Sequence, residues 1–106
     1  MGNILTIGDR KFVLRMMRTW GIKRLNIDWS SSKKKYPDIW VKPGKVPVIT
    51  VTAEWKSHNT DLRRSQLVHE FLHLVGYEHS RIGKYNYSTY PDKDTFSKAV
   101  YQRIAK

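Results

Sequence analysis

Asp61-Leu62-Arg63-Arg64-Ser65-Gln66-Leu67-Val68-His69-Glu70-Phe71-Leu72-His73-Leu74-Val75-Gly76-Tyr77-Glu78-His79 is the stretch on which the reading of this chain turns. Val68, Phe71, Leu72 and Val75 recur at three- and four-residue spacing, the stripe of a helix running from about Asp61 to Val75 and anchored in a core. Asn59 or Thr60 can cap its start. Gly76 halts it, because glycine readily takes the left-handed conformation that ends a helix and turns the chain back.

His69 and His73 sit four residues apart, so on that helix their directions differ by about 40° and their imidazoles can share one ion. Zinc suits the pair, since neutral imidazole nitrogen binds it at roughly 2.0–2.1 Å. Glu70 follows the first histidine, the place of the general base in H-E-x-x-H. In a continuing helix His79 would point about 240° away from His73. A turn at Gly76 can return it to the metal as third ligand, leaving the fourth position for water. With four His, three Glu and six Gly in 106 residues, random placement yields H-E-x-x-H-x-x-G-x-x-H on the order of once in a hundred thousand sequences, too rarely to be the preferred account.

Working outward, residues 9–20 place Phe12, Val13, Met16, Met17 and Trp20 at helical spacing, closed by Gly21. Ile22 to Trp29 alternates Leu25, Ile27 and Trp29 with polar partners and reads as a strand. Ser30 to Lys35 is a basic loop, Asp38 to Lys42 a short strand ended by Pro43-Gly44, and Val46 to Trp55 another strand. Residues 80–93 form a tyrosine-rich loop, and 94–105 a last helix with Phe96, Ala99, Val100 and Ile104 on one face. That order is α+β: a small mixed sheet packed on the first helix and the histidine-bearing helix, with a C-terminal helix, in one domain of 106 residues.

Composition narrows the classes. An apolar share of 40% with aromatic residues at 12% supports a folded globule. No apolar run approaches the ~20 residues of a membrane span, and residues 1–11 lack the sustained apolar stretch of a secretory signal, so cytoplasmic synthesis is the default expectation. Absence of cysteine removes disulfides, thiolate-held zinc and a thiol nucleophile. The net charge of +11 suits nucleic acid, anionic surfaces or acidic substrates, and equally a solvated basic surface that keeps a small monomer soluble. Its cations are spread, with a run at Lys33 to Lys35 and a pair at Arg63 and Arg64.

His69-Glu70-Phe71-Leu72-His73-Leu74-Val75-Gly76-Tyr77-Glu78-His79-Ser80 resembles the active-site helix of metzincin zinc peptidases, and Ser80 resembles the matrixin branch in particular. Trp20 at the end of the first helix, Leu25 in the next strand, Pro37-Asp38-Ile39-Trp40-Val41 and the closing helix are similar to matrixin elements as well. The resemblance implies a zinc endopeptidase acting on protein or peptide, with one catalytic zinc on His69, His73 and His79 and Glu70 as base. It also implies that Val46 to Trp55 includes the edge strand on which extended substrate pairs.

The chain departs from that family in places. No methionine follows the motif: if Tyr90-Pro91 stand in the methionine-turn region, Thr89 occupies the methionine position. The loop that holds structural zinc and calcium in matrixins is missing, and without cysteine there is no cysteine-switch latency. Tyr90, Thr89 and Pro91 are candidates for lining the substrate pocket or, for Tyr90, donating to an oxyanion, with Tyr85 and Tyr87 weaker candidates of the same kind. Glu78 is an alternative third ligand, and His58 reads as a loop residue.

A second resemblance carries the alternative. Leu72 to His79 is similar to the metal-binding segment of single-zinc endoribonucleases that mature ribosomal RNA, for which the positive charge would fit. That family has glycine where Glu70 stands, and its Ser-Phe-Pro motif is missing here. A basic nucleic-acid-binding module with structural zinc completes the alternatives, and it would need a fourth protein ligand.

Overall fold

Thr6 opens the first helix by accepting the Asp9 backbone N–H on its hydroxyl at 3.0 Å, so α1 spans Ile7–Trp20 and begins before the expected Asp9. Gly21 ends it in the left-handed conformation, φ 67°, while Ile22 N donates back to Met17 O at 2.9 Å. That return consumes the residues expected to start a strand, and β1 forms later, at Asn26–Ser30. β2 is Ile39–Lys42 and β3 is Val48–Thr52, both inside the expected strands. The computed structural model describes residues 4–31 and 38–75.

These strands make a mixed three-stranded sheet in the order β1-β3-β2, with β1 parallel and β2 antiparallel to β3. Register sets Ile27 opposite Ile49, Trp29 opposite Val51, and Ile39 and Val41 opposite Val51 and Ile49, so one sheet face is apolar across its width. The architecture is α+β, as the element order predicts.

Two expectations about the third strand change. It stops at Thr52 instead of running to Trp55, because the Thr52 hydroxyl accepts from Trp55 N at 3.3 Å and starts a one-turn helix, α2, Ala53–Ser57. The same hydroxyl donates to Asp38 O at 2.7 Å, tying the turn to the start of β2. Trp55 thereby leaves the sheet for the core, where it is 1% exposed and donates through Nε1 to Arg63 O at 3.2 Å. The segment expected to include an edge strand is also central: β3 has partners on both sides, and Ile49 and Val51 are fully buried. Among the described residues the antiparallel edge is β2.

Helix α3, Thr60–Leu74, agrees with the expected helix in place and cap. Asn59 Oδ1 accepts from Leu62 N at 2.9 Å, and Asp61 lies in the first turn, where the helix dipole favours a carboxylate. Leu67, Val68, Phe71 and Leu72 are its buried apolar face, while Val75 is half-buried at its C-terminal cap. They join Phe12, Val13 and Met16 of α1, Ile39, Ile49 and Val51 of the sheet, and Trp55 in one core. Burying each of these larger side chains contributes roughly 1.5–3 kcal/mol. Among the described residues no helix is long and apolar enough to cross a membrane.

Candidate metal centre

Three polar side chains leave the last two turns of α3 close together. His69 and His73 are half-buried, with ring centroids 4.7 Å apart and planes at 83°. Their Nε2 atoms approach to 3.1 Å. Two nitrogens on one tetrahedral zinc at roughly 2.05 Å would be about 3.3 Å apart, so the observed spacing is close to what shared coordination needs. Ligand atoms of His69, Glu70 and His73 all lie within 4.8 Å of one another. These residues can hold a metal ion.

Glu70 differs from its neighbours in environment. It is buried, and its Oε2 has no hydrogen-bond partner among the described residues. Burial pushes its carboxyl pKa up from 4.5 to about 8. A buried acid without a partner is costly as an anion, and the ordinary remedies are a hydrogen bond, protonation or a nearby cation. The donor set therefore fits a divalent ion: two imidazole nitrogens near coordination spacing and a carboxylate that needs positive charge beside it.

The polypeptide upstream holds this helix in place. Asp9 of α1 is 1% exposed and receives Arg63 Nε at 2.9 Å and Arg64 Nε at 3.3 Å. Arg63 also donates from a terminal nitrogen to His58 O at 2.6 Å and lies over the Trp55 ring at 6.0 Å. Arg64 lies over Phe12 at 5.4 Å. His58 caps α2, with its Nε2 2.7 Å from Asp38 Oδ2, so it links α2 to the start of β2 and is no part of the histidine cluster. Further along, Trp20 packs on Phe71 with ring centroids 5.7 Å apart, next to Glu70 in sequence.

Sequence reasoning placed His69, Glu70 and His73 on one helix, and the structure brings those three together. Gly76, Glu78, His79, Tyr85, Tyr87, Thr89, Tyr90, Pro91, the loop 80–93 and the helix 94–105 lie outside the described residues. Reading Arg63 and Arg64 as part of a spread basic surface missed their buried partner. Asp9 carried a faint signal: it is the one acid of the predicted helix 9–20, whose other charges are all basic, and it stands three and four positions before Phe12 and Val13, which face the core. No family model, no curated protein and no solved structure matches this chain.

Proposed function

We propose that this protein is a zinc-dependent endopeptidase of metzincin type, with His69, His73 and His79 as metal ligands and Glu70 as general base. The carrying observation is the convergence of the His69 and His73 Nε2 atoms, 3.1 Å apart, beside a buried carboxylate that has no hydrogen-bond partner for Oε2 among the described residues. Zinc at this site would supply a Lewis acid that polarises the scissile carbonyl and acidifies water. Glu70 takes the proton of the attacking water on its carboxylate and passes it to the leaving amine. A carboxylate with a raised proton affinity suits both halves of that transfer, because it must accept and then release a proton near neutral pH. The outer edge of β2, which packs beside α3 and pairs with no other strand among the described residues, would offer backbone groups to an extended peptide whatever its side chains.

Cleavage of a diverse peptide mixture by the zinc-loaded protein, beside a Glu70→Ala control, tests the reading. Cuts by the parent and a loss of about 10²-fold or more in the control are expected. An inactive parent with zinc demonstrably bound would overturn it. The net charge of +11 favours one second reading, a zinc-containing protein that binds or cuts RNA. Hydrolysis of structured RNA, or salt-sensitive RNA binding without hydrolysis, would be its signature.

A further inference from the structure

A second feature lies away from the histidines. Ile4, Leu5, Val13, Leu14, Met17, Leu25 and Ile27, with Arg10, line a cleft of about 180 Å³ between α1, the segment before it and β1. It shares no residue with α3. Ile7 and Leu14, on the outward side of α1, are 78% and 50% exposed, unusual for residues of their size in a chain with so many charges.

The volume and lining together restrict the occupant. Pockets for whole small ligands run from about 300 to 1,000 Å³, so this cleft matches one or two apolar side chains presented by something larger. It contains no aromatic ring on which a nucleobase could stack. It is concave, and on α1 only Ile7 and Leu14 protrude as large exposed apolar side chains, short of the continuous apolar face that insertion into a membrane interface calls for. The helix that forms one wall of it, and the turn after that helix, carry exposed charge of one sign. Lys11, Arg15, Arg18, Lys23 and Arg24 are all exposed on α1 and the turn that follows it. The acids of the same segment are Asp28 and Asp9, and Asp9 is spent on Arg63 and Arg64.

We propose that the cleft between α1 and β1 is a docking site for an acidic protein segment that inserts an apolar anchor, such as leucine, between Leu14, Met17 and Leu25 while its carboxylates meet the exposed cations of α1 and the turn that follows it. Apolar anchoring gives such a site its position, and the cationic rim gives it rate and salt dependence. The proposal stands apart from the peptidase reading, because none of its residues belongs to the histidine cluster.

The probe is a fluorescent twelve-residue peptide of glutamates with two leucines at helical spacing, titrated by anisotropy against the 106-residue chain. Two further probes are an all-glutamate peptide of equal length and a single-stranded DNA 12-mer. The leucine-bearing peptide should bind at least tenfold more tightly than the all-glutamate peptide and the DNA. Leu14→Gln, at a half-exposed position, should remove that advantage without shifting the melting temperature. Arg18→Glu should weaken binding of both peptides and reduce its salt dependence. Equal affinity for the two peptides, tighter binding of the DNA, or leucine-dependent binding that survives Leu14→Gln would each overturn the proposal. In the last case the peptide occupies another surface.

Discussion

The two ends of α3 are built on opposite principles. In its first two turns, from the cap to Ser65, polar groups are matched: Asn59 caps Leu62 N, Ser65 Oγ donates to Asp61 O at 2.7 Å, and Arg63 and Arg64 close on Asp9. Two turns later, Glu70 is also buried yet has an oxygen without a hydrogen-bond partner among the described residues. Both ends pack against the same core, so apolar burial does not distinguish them. The difference is where positive charge comes from. Beside Asp9 the chain supplies it covalently, as arginine; beside Glu70 stand two imidazoles, placed where an ion could be held. One end is closed by its own ion pairs, and the other carries residues that can hold a metal ion.

The largest effect should follow from breaking the matched end. Asp9→Asn leaves two guanidinium groups, 13% and 25% exposed, without their buried counter-charge. Removing one partner of a buried ionic cluster costs about 3–5 kcal/mol, a large share of the roughly 5–15 kcal/mol that holds a domain together. Urea unfolding should show that loss, with zinc affinity of the still-folded fraction little changed. A loss below about 1 kcal/mol would mean that solvent compensates the arginines, and the contrast between the ends would disappear.

Relieving the unmatched end should have the opposite sign. The folded Glu70 carboxyl holds its proton up to about pH 8, whereas the unfolded one releases it near 4.5. Between those values the folded state binds more protons, so stability of the metal-free protein falls as pH rises through the window. At pH 7 the penalty is about 3 kcal/mol by order of magnitude. Glu70→Gln, which keeps the shape and cannot ionise, should melt with the parent below pH 4.5 and above it at pH 8 in the presence of a chelator. Added zinc should close that gap from the parent's side, because a cation beside the carboxylate lowers its pKa. Parallel melting curves for parent and variant across the range would show that the buried carboxylate carries no such cost.

How much of this was legible in the sequence follows the same division. Local signals transferred directly. The 3.6-residue spacing of Val68, Phe71 and Leu72, the cap at Asn59, the glycine stop at Gly21 and the i, i+4 histidines are all governed by chain geometry within a few residues. What failed depended on contacts that the spacing of apolar residues does not express. Val48–Thr52 reads as a strand, but its central position is set by pairing with two segments about 10 and 22 residues upstream, which periodicity cannot express. Trp55 continues the strand pattern, yet the Thr52 cap and the Arg63 carbonyl draw it into a helix and the core. Asp9 and the arginines lie 54 and 55 positions apart, so only the packed fold shows that part of the apparent surface charge is internal. In the site itself, the residues on one helix could be read together, while the turn to His79 lies outside the described residues.

The smallest effect sharpens the comparison most, because it alters the matched end without touching charge. Asn59→Ala removes one cap bond and leaves the Leu62 N–H to water at an exposed position. Such a loss costs about 1 kcal/mol, several-fold less than Asp9→Asn, and it should move thermal and urea midpoints modestly without changing their cooperativity. Its consequence for the histidines depends on how the helix is held. Downstream of the cap, Arg63 and Arg64 fix α3 to α1, Trp55 holds the Arg63 carbonyl, and Phe71 packs on Trp20. Fraying of the first turn is thus stopped before it reaches His69, and zinc affinity measured by competition with a chromophoric chelator should stay within about twofold of the parent. A larger drop in affinity would mean that the helix moves as a rigid rod from its cap, and that the ionic cluster does not isolate the histidine-bearing end from the end that anchors it.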